Sequence, residues 1–97
     1  MGACEVPLEI MRTCAEAIDL IETFAEKGSK IAISDAGVGA TLLKSALQGA
    51  SLNIYINTKS MADKEVAASY NKEADMLREK YEKKADEIFQ SVCNKIR

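Results

Sequence analysis

Apolar residues recur at three- and four-residue steps along most of the chain, the period of one face of an α-helix rather than the alternation of a strand. In the first third, Leu8, Met11, Ala15, Ile18, Ile21 and Ala25 follow Pro7, a residue suited to a first helical turn, and Gly28 ends the run. The opposite side carries Glu9, Arg12, Glu16, Asp19, Glu22 and Glu26, the pattern of a solvated face. In the last third, Tyr70, Ala74, Leu77, Tyr81, Ala85, Ile88, Val92 and Ile96 place one apolar face on a helix that starts at Asp63 and ends close to Arg97. Lys and Glu fill the other positions, with opposite charges three and four apart. A helix this long with so narrow an apolar face needs a partner helix.

The middle third mixes two signals. The apolar triplet from Ile31, followed by Gly37 and Gly39, resembles the opening of a dinucleotide-binding βα unit. Position 42 is Leu rather than the third glycine, and no further βα unit follows to build a sheet. Lys44-Ser45 likewise lacks the preceding glycine that a phosphate-binding loop requires. The pattern instead predicts a helix capped by Ser34 and Asp35 and running from Ala36 to about Ile56. Small residues four apart, such as Ala36 and Ala40 or Ser45 and Gly49, allow neighbouring helices to approach closely. Leu42, Leu43, Leu47, Leu52, Ile54 and Ile56 spread around the axis, so this helix is expected to be covered on most sides. Ser45, Gly49, Asn53 and Asn57 form one drifting stripe, whose polar members need partners if buried.

These elements predict an all-α fold, an antiparallel helical bundle of three main helices in a single domain over residues 1–97. The second helix is too apolar for two neighbours to cover. A second copy, giving a homodimer or larger oligomer, or a missing N-terminal half is expected to complete it.

Composition narrows the chemistry. Five Gly and one Pro in 97 residues are too few for an all-β protein. With no His, a Ser-His-Asp triad and a His-ligated zinc site are excluded within the chain. A net charge of −2 offers no field to attract a polyanion, so no nucleic-acid partner is expected. Cys4, Cys14 and Cys93 are odd in number and have no CxxC spacing, which fits small apolar residues in a reduced, cytoplasmic setting. The N-terminus has no basic and apolar leader pattern. The one stretch long enough to span a bilayer, Ala36 to Ile56, has Lys44 near its centre, so no membrane association is expected.

Three segments carry a family resemblance: Val6 to Met11, Ser34 to Ala40, and Gly49 to Lys59. In order and spacing they resemble the C-terminal half of the formiminotransferase-cyclodeaminase and methenyltetrahydrofolate cyclohydrolase family, over nearly the whole chain. The resemblance implies an all-helical, dimeric enzyme of one-carbon folate metabolism with a tetrahydrofolate derivative as substrate and no metal. Cyclodeaminases close 5-formiminotetrahydrofolate to the 5,10-methenyl form with loss of ammonia, and cyclohydrolases interconvert the methenyl and 10-formyl forms. Family members begin with a helical half bearing a glycine-rich segment that this sequence lacks. The expectation is therefore a fragment, inactive alone, whose catalytic residues are not identified.

Four residues are substrate-binding candidates under this resemblance. Asp35 could accept hydrogen bonds from a pterin edge, or simply cap the second helix. Asn53 and Asn57 could contact pterin or bridge helices. Lys59 could meet the anionic glutamate tail of folate, or be solvated. Tyr70 and Tyr81 fit the core better than the role of a base. A second function class, a non-catalytic helical association module, accounts for the charge-dense third helix. It does not account for Ser45, Asn53 and Asn57 on an otherwise apolar one.

Overall fold

The computed structural model describes residues 3–27 and 30–97, with side chains throughout except at 30 and 31. Three helices make up the fold: α1 (Glu5–Lys27), α2 (Lys30–Lys59) and α3 (Lys64–Ile96), with no strand among the described residues. The position of Gly28, expected to terminate the first helix, lies outside them. The bundle measures 51 × 18 × 16 Å, and its long axis matches the ~50 Å length of a 33-residue helix.

Inter-helix contacts fix the topology. Between α1 and α3 they climb together, from Glu5–Tyr70 through Arg12–Glu73 and Asp19–Tyr81 to Ala25–Lys95, so these helices run parallel. Between α2 and α3 they run in opposite senses, from Lys44–Asp86 through Gln48–Glu82 and Tyr55–Asp75 to Thr58–Asn71. Cys4 against the Ile54 carbonyl sets α1 antiparallel to α2 in the same way. The chain thus goes up, down and up, and α2 lies against both other helices.

The predicted apolar faces form the core. Leu8, Met11 and Ile18 of α1 meet Leu47 and Ile54 of α2 and Tyr81, Ile88 and Val92 of α3, all buried. Ile96, assigned to that face, is 44% exposed at the last residue of α3. Asp63 opens α3 as its N-cap, accepting from the backbone N–H groups of Glu65 and Val66.

Three expectations are corrected. First, α2 begins at Lys30, not at a Ser34–Asp35 cap, and extends to Lys59. Ile33 is buried in helical register with Ala36 and Ala40, so packing carries the helix back past the polar pair. Second, α2 is not covered on most sides: Val38, Leu42, Leu52 and Ile56 are 57–70% exposed, because its two neighbours flank only its inner side. The Ser45–Gly49–Asn53 stripe is exposed with them rather than buried. Third, the charged side of α1 is not merely solvated. Arg12 forks onto both carboxylate oxygens of Glu73 at 2.8 and 3.0 Å, and Asp19 binds Tyr81 and Lys84, because α3 lies along that edge.

Gly37 and Gly39, the residues that mimic a nucleotide loop, sit inside α2 as contact points. A Cβ on Gly37 would stand 3.0 Å from Val92 Cγ1, and one on Gly39 would stand 2.9 Å from Ile21 Cδ1. Each glycine lets a neighbouring helix come close.

Candidate functional site

The four candidate residues all lie on α2, but the helix holds them apart. Eighteen residues at 1.5 Å each place Asn53 ~27 Å from Asp35 along the axis. Asp35 stands exposed in the second turn, whereas Asn53, Asn57 and Lys59 cluster in the last two turns. The candidates therefore fall into two separate groups, two candidate half-sites on one chain.

The first half-site is an apolar groove of about 450 Å³ between the start of α2 and the end of α3. Val38 and Leu42 form one wall and Phe89, Val92 and Ile96 the other, with Ser34, next to Asp35, at the rim. The Thr41 hydroxyl donates to the Gly37 carbonyl at 3.1 Å, leaving its oxygen as an acceptor toward the groove. A flat, hydrophobic-faced ligand suits such a wall, and Asp35 would supply a carboxylate at its edge. Asp35 has no capping role here, since the helix starts a full turn earlier.

The second half-site surrounds the α2–α3 turn. The Asn57 side chain donates to the Asn53 carbonyl at 2.6 Å within α2, so neither asparagine bridges helices. The interhelical bond belongs to buried Thr58, whose hydroxyl donates to Asn71 Oδ1 at 2.7 Å. Lys59 closes the helix, where a cation complements the exposed carbonyls. Lys64 reaches back to the Lys59 carbonyl at 3.4 Å and adds a second ammonium.

Sequence reasoning missed Phe89 and Lys64. Phe89 lies beside the Tyr81–Ala85–Ile88–Val92 stripe, and an aromatic among charged positions was the available signal. Lys64 became a neighbour of Lys59 only through the turn.

The remaining polar groups fasten helices together. Burial, then the Asp19 carboxylate, pushes the Tyr81 hydroxyl above its ordinary pKa; the Glu5 carboxylate and then burial do the same for Tyr70. Both hydroxyls donate to carboxylates of α1, in keeping with structural roles. Burial would raise the Asp19 carboxyl, but hydrogen bonds from Lys84 and Tyr81 outweigh it and lower the pKa. Glu82 behaves alike: burial opposes, and Gln48 and Arg78 prevail. Burial raises the pKa of the Cys14 thiol and, with Glu5, that of Cys4, which disfavours the reactive thiolate. Among the described residues no group of three or more Cys, Asp or Glu is placed to hold a metal ion, and no helix is long and apolar enough to cross a membrane.

Comparison with known proteins bears on these half-sites. The sequence profile of a family described as formiminotransferase-cyclodeaminase matches residues 1–76, covering α1, α2 and the first part of α3. A relative from Methylorubrum extorquens, methenyltetrahydrofolate cyclohydrolase, is 38% identical over 94 residues, which are 97% of this chain and 45% of the relative. The chain thus spans less than half the length of that relative.

Proposed function

We propose that this chain, which belongs to the formiminotransferase-cyclodeaminase family, serves one-carbon folate metabolism as the C-terminal helical half of a methenyltetrahydrofolate cyclohydrolase or formiminotetrahydrofolate cyclodeaminase. The observation that carries the reading is the match to the cyclohydrolase across 97% of the chain, through both half-sites. Both reactions pass through a tetrahedral carbon between two folate nitrogens. They require the pterin to be held still while a proton moves.

The substrate would be a tetrahydrofolate derivative. In this reading Asp35 accepts from the pterin edge, the apolar groove supports its ring face, and Asn53 and Asn57 orient the carbonyl and amino groups. Lys59, with Lys64 beside it, meets the glutamate carboxylates. The acid and base come from outside the described tyrosines and thiols. The chain works in the cytoplasm, joined to the rest of the enzyme.

The test is turnover of 5,10-methenyltetrahydrofolate and ammonia release from 5-formiminotetrahydrofolate, with the chain alone and with the relative's unmatched portion supplied. Activity only in the combination is expected, and the preferred substrate separates the two enzymes. Absence of both activities in a folded combination would sink the reading. Asp35→Asn removes charge-assisted hydrogen bonds of ~1.5–3 kcal/mol each, so folate affinity in that assembly should fall about ten- to a hundredfold. Affinity unchanged within about threefold would remove Asp35 from the site, since even one such bond is worth more than that.

A further inference from the structure

The outer face of α1 has an order that the bundle itself does not use. Val6, Ile10, Thr13, Ala17, Leu20 and Phe24 follow one another by 4, 3, 4, 3 and 4 residues, and the four large ones are 45–69% exposed. That is the 3.5-residue repeat of a helix-pairing seam, held over ~27 Å of helix. Large side chains stand at both ends and small ones in the middle, so a second helix laid along the seam finds an anchor at each end and room for close approach between them. At the first end Val6 and Ile10 line a shallow apolar groove of about 360 Å³.

The same helix is the negative pole of the molecule. Six carboxylates and two cations stand between Glu5 and Lys27, a net charge of −4, whereas the whole chain carries −2, so the rest of it is net positive. Exposed Glu9 and Glu16, one heptad apart, line one flank of the seam. Arg12 is already held by Glu9 and Glu73 at 2.6 and 2.8 Å, and Glu16 has no ion pair among the described residues. We propose that the outer face of α1 docks an amphipathic helix of a partner protein, one that sets apolar residues on the seam and lysines or arginines against Glu9 and Glu16.

Charge decides among the occupants. A second copy placed on this face would set the negative pole against itself. A membrane surface, which takes apolar helix faces flanked by cations, would repel it. The exposed apolar row of α2 has no flank of a single sign, with Asp35 towards one end and Lys59 at the other, so it offers a basic helix no such preference. None of the residues lining the groove between α2 and α3 takes part, so docking leaves the proposed folate surface open and the inference stands apart from the folate reading.

Fluorescence anisotropy with two synthetic helical peptides tests the dock on the 97-residue chain. Both peptides repeat leucine at the seam positions, and the flanking positions hold lysine in one and glutamate in the other. The lysine peptide should bind at micromolar concentration and the glutamate peptide about tenfold more weakly or worse, a difference that shrinks as salt is added. Leu20→Asp should weaken the lysine peptide about a hundredfold, whereas Leu52→Asp, equally exposed on α2, should leave it unchanged. Glu16→Lys should bring the two peptides within about threefold of each other. Circular dichroism confirms that each variant keeps its helices. Equal affinity for the two peptides, no binding of either, or binding broken by Leu52→Asp and not by Leu20→Asp would overturn the proposal. So would self-association of the chain that Leu20→Asp abolishes, which gives the seam to a second copy, or displacement of the lysine peptide by the relative's unmatched portion, which gives it to the rest of the enzyme.

Discussion

The two faces of α2 are built from similar residues and have opposite fates. Inward, Ile33, Ala40, Leu47 and Ile54 are buried between α1 and α3, and Gly37 and Gly39 take those helices into near-contact. Outward, Val38, Leu42, Leu52 and Ile56 are just as apolar and remain largely exposed, with Val38 and Leu42 only edging the groove beside the end of α3. Polar fasteners mark the difference. The flanks of the inner face carry Lys44–Asp86, Gln48–Glu82 and Tyr55–Asp75, each joining α2 to α3, while Val38, Leu42, Leu52 and Ile56 on the outer face offer no polar side chain for such a bond. Hydrophobicity alone therefore does not say which side of a helix a bundle will use. The small residues and the interhelical polar pairs do.

Truncation should separate the faces most strongly. Ile54→Ala empties a fully buried position and should cost ~2–5 kcal/mol in urea unfolding, whereas Leu52→Ala, two residues away, should stay within ~0.5 kcal/mol at concentrations below any dimerisation. Comparable losses at both positions would mean that the outer face is already packed in the single chain.

Adding a methyl group should give opposite signs on the two sides. Gly37→Ala drives a Cβ to 3.0 Å from Val92 Cγ1 and 3.3 Å from its branched, stiff Cβ, so about 1–3 kcal/mol of stability should be lost. Gly49→Ala meets nothing and removes a flexible residue from a helix interior, which should gain up to ~1 kcal/mol. Thermal unfolding of dilute protein reads both, and a stabilised Gly37→Ala would contradict the close approach of α3. Gly39→Ala lies between them, because the atom in its way is the free end of Ile21.

Acid should act on the inner flanks and the α1–α3 edge, with the smallest effect. Asp19 and Glu82 have lowered pKa values in the fold, so their contribution is complete above the ordinary carboxylate range near pH ~4 and is lost as pH falls through the lowered folded values. Both groups are partly exposed, which limits each pair to about 1 kcal/mol or less. Asp19→Asn should flatten the acid limb of the stability curve. An unaltered limb would assign acid sensitivity to other carboxylates.

The helices with one-sided patterns were legible from sequence. The α1 stripe from Leu8 to Ala25 and the α3 stripe from Ala74 to Val92 each have a single apolar face, and those faces form the core. The start of α2 was not, because Ser34 and Asp35 give a strong local capping signal that the packing of Ile33 overrides. The ion pairs of Arg12 and Asp19 were hidden for another reason. A periodic pattern separates apolar from polar, but only the parallel placement of α3 says which polar residues meet a partner. The candidate site residues named from sequence lie at both ends of α2. It could not show their separation, which follows from one unbroken helix reaching from Lys30 to Lys59.

The placement of the three thiols gives the molecule an internal clock. Cys4, just before α1, is fully buried with its sulfur 3.8 Å from the Ile54 carbonyl, Cys14 on α1 is buried but lines a surface groove beside Val6 and Ile10, and Cys93 on α3 is half-buried. A thiol reagent reaches Cys4 in those molecules whose chain around it has momentarily lifted from α2. When reclosing outpaces labelling, the reaction rate of Cys4 relative to a free thiol is the equilibrium constant of that opening. The cohesion of the start of the chain with the end of α2 can thus be timed in native buffer by a single sulfur.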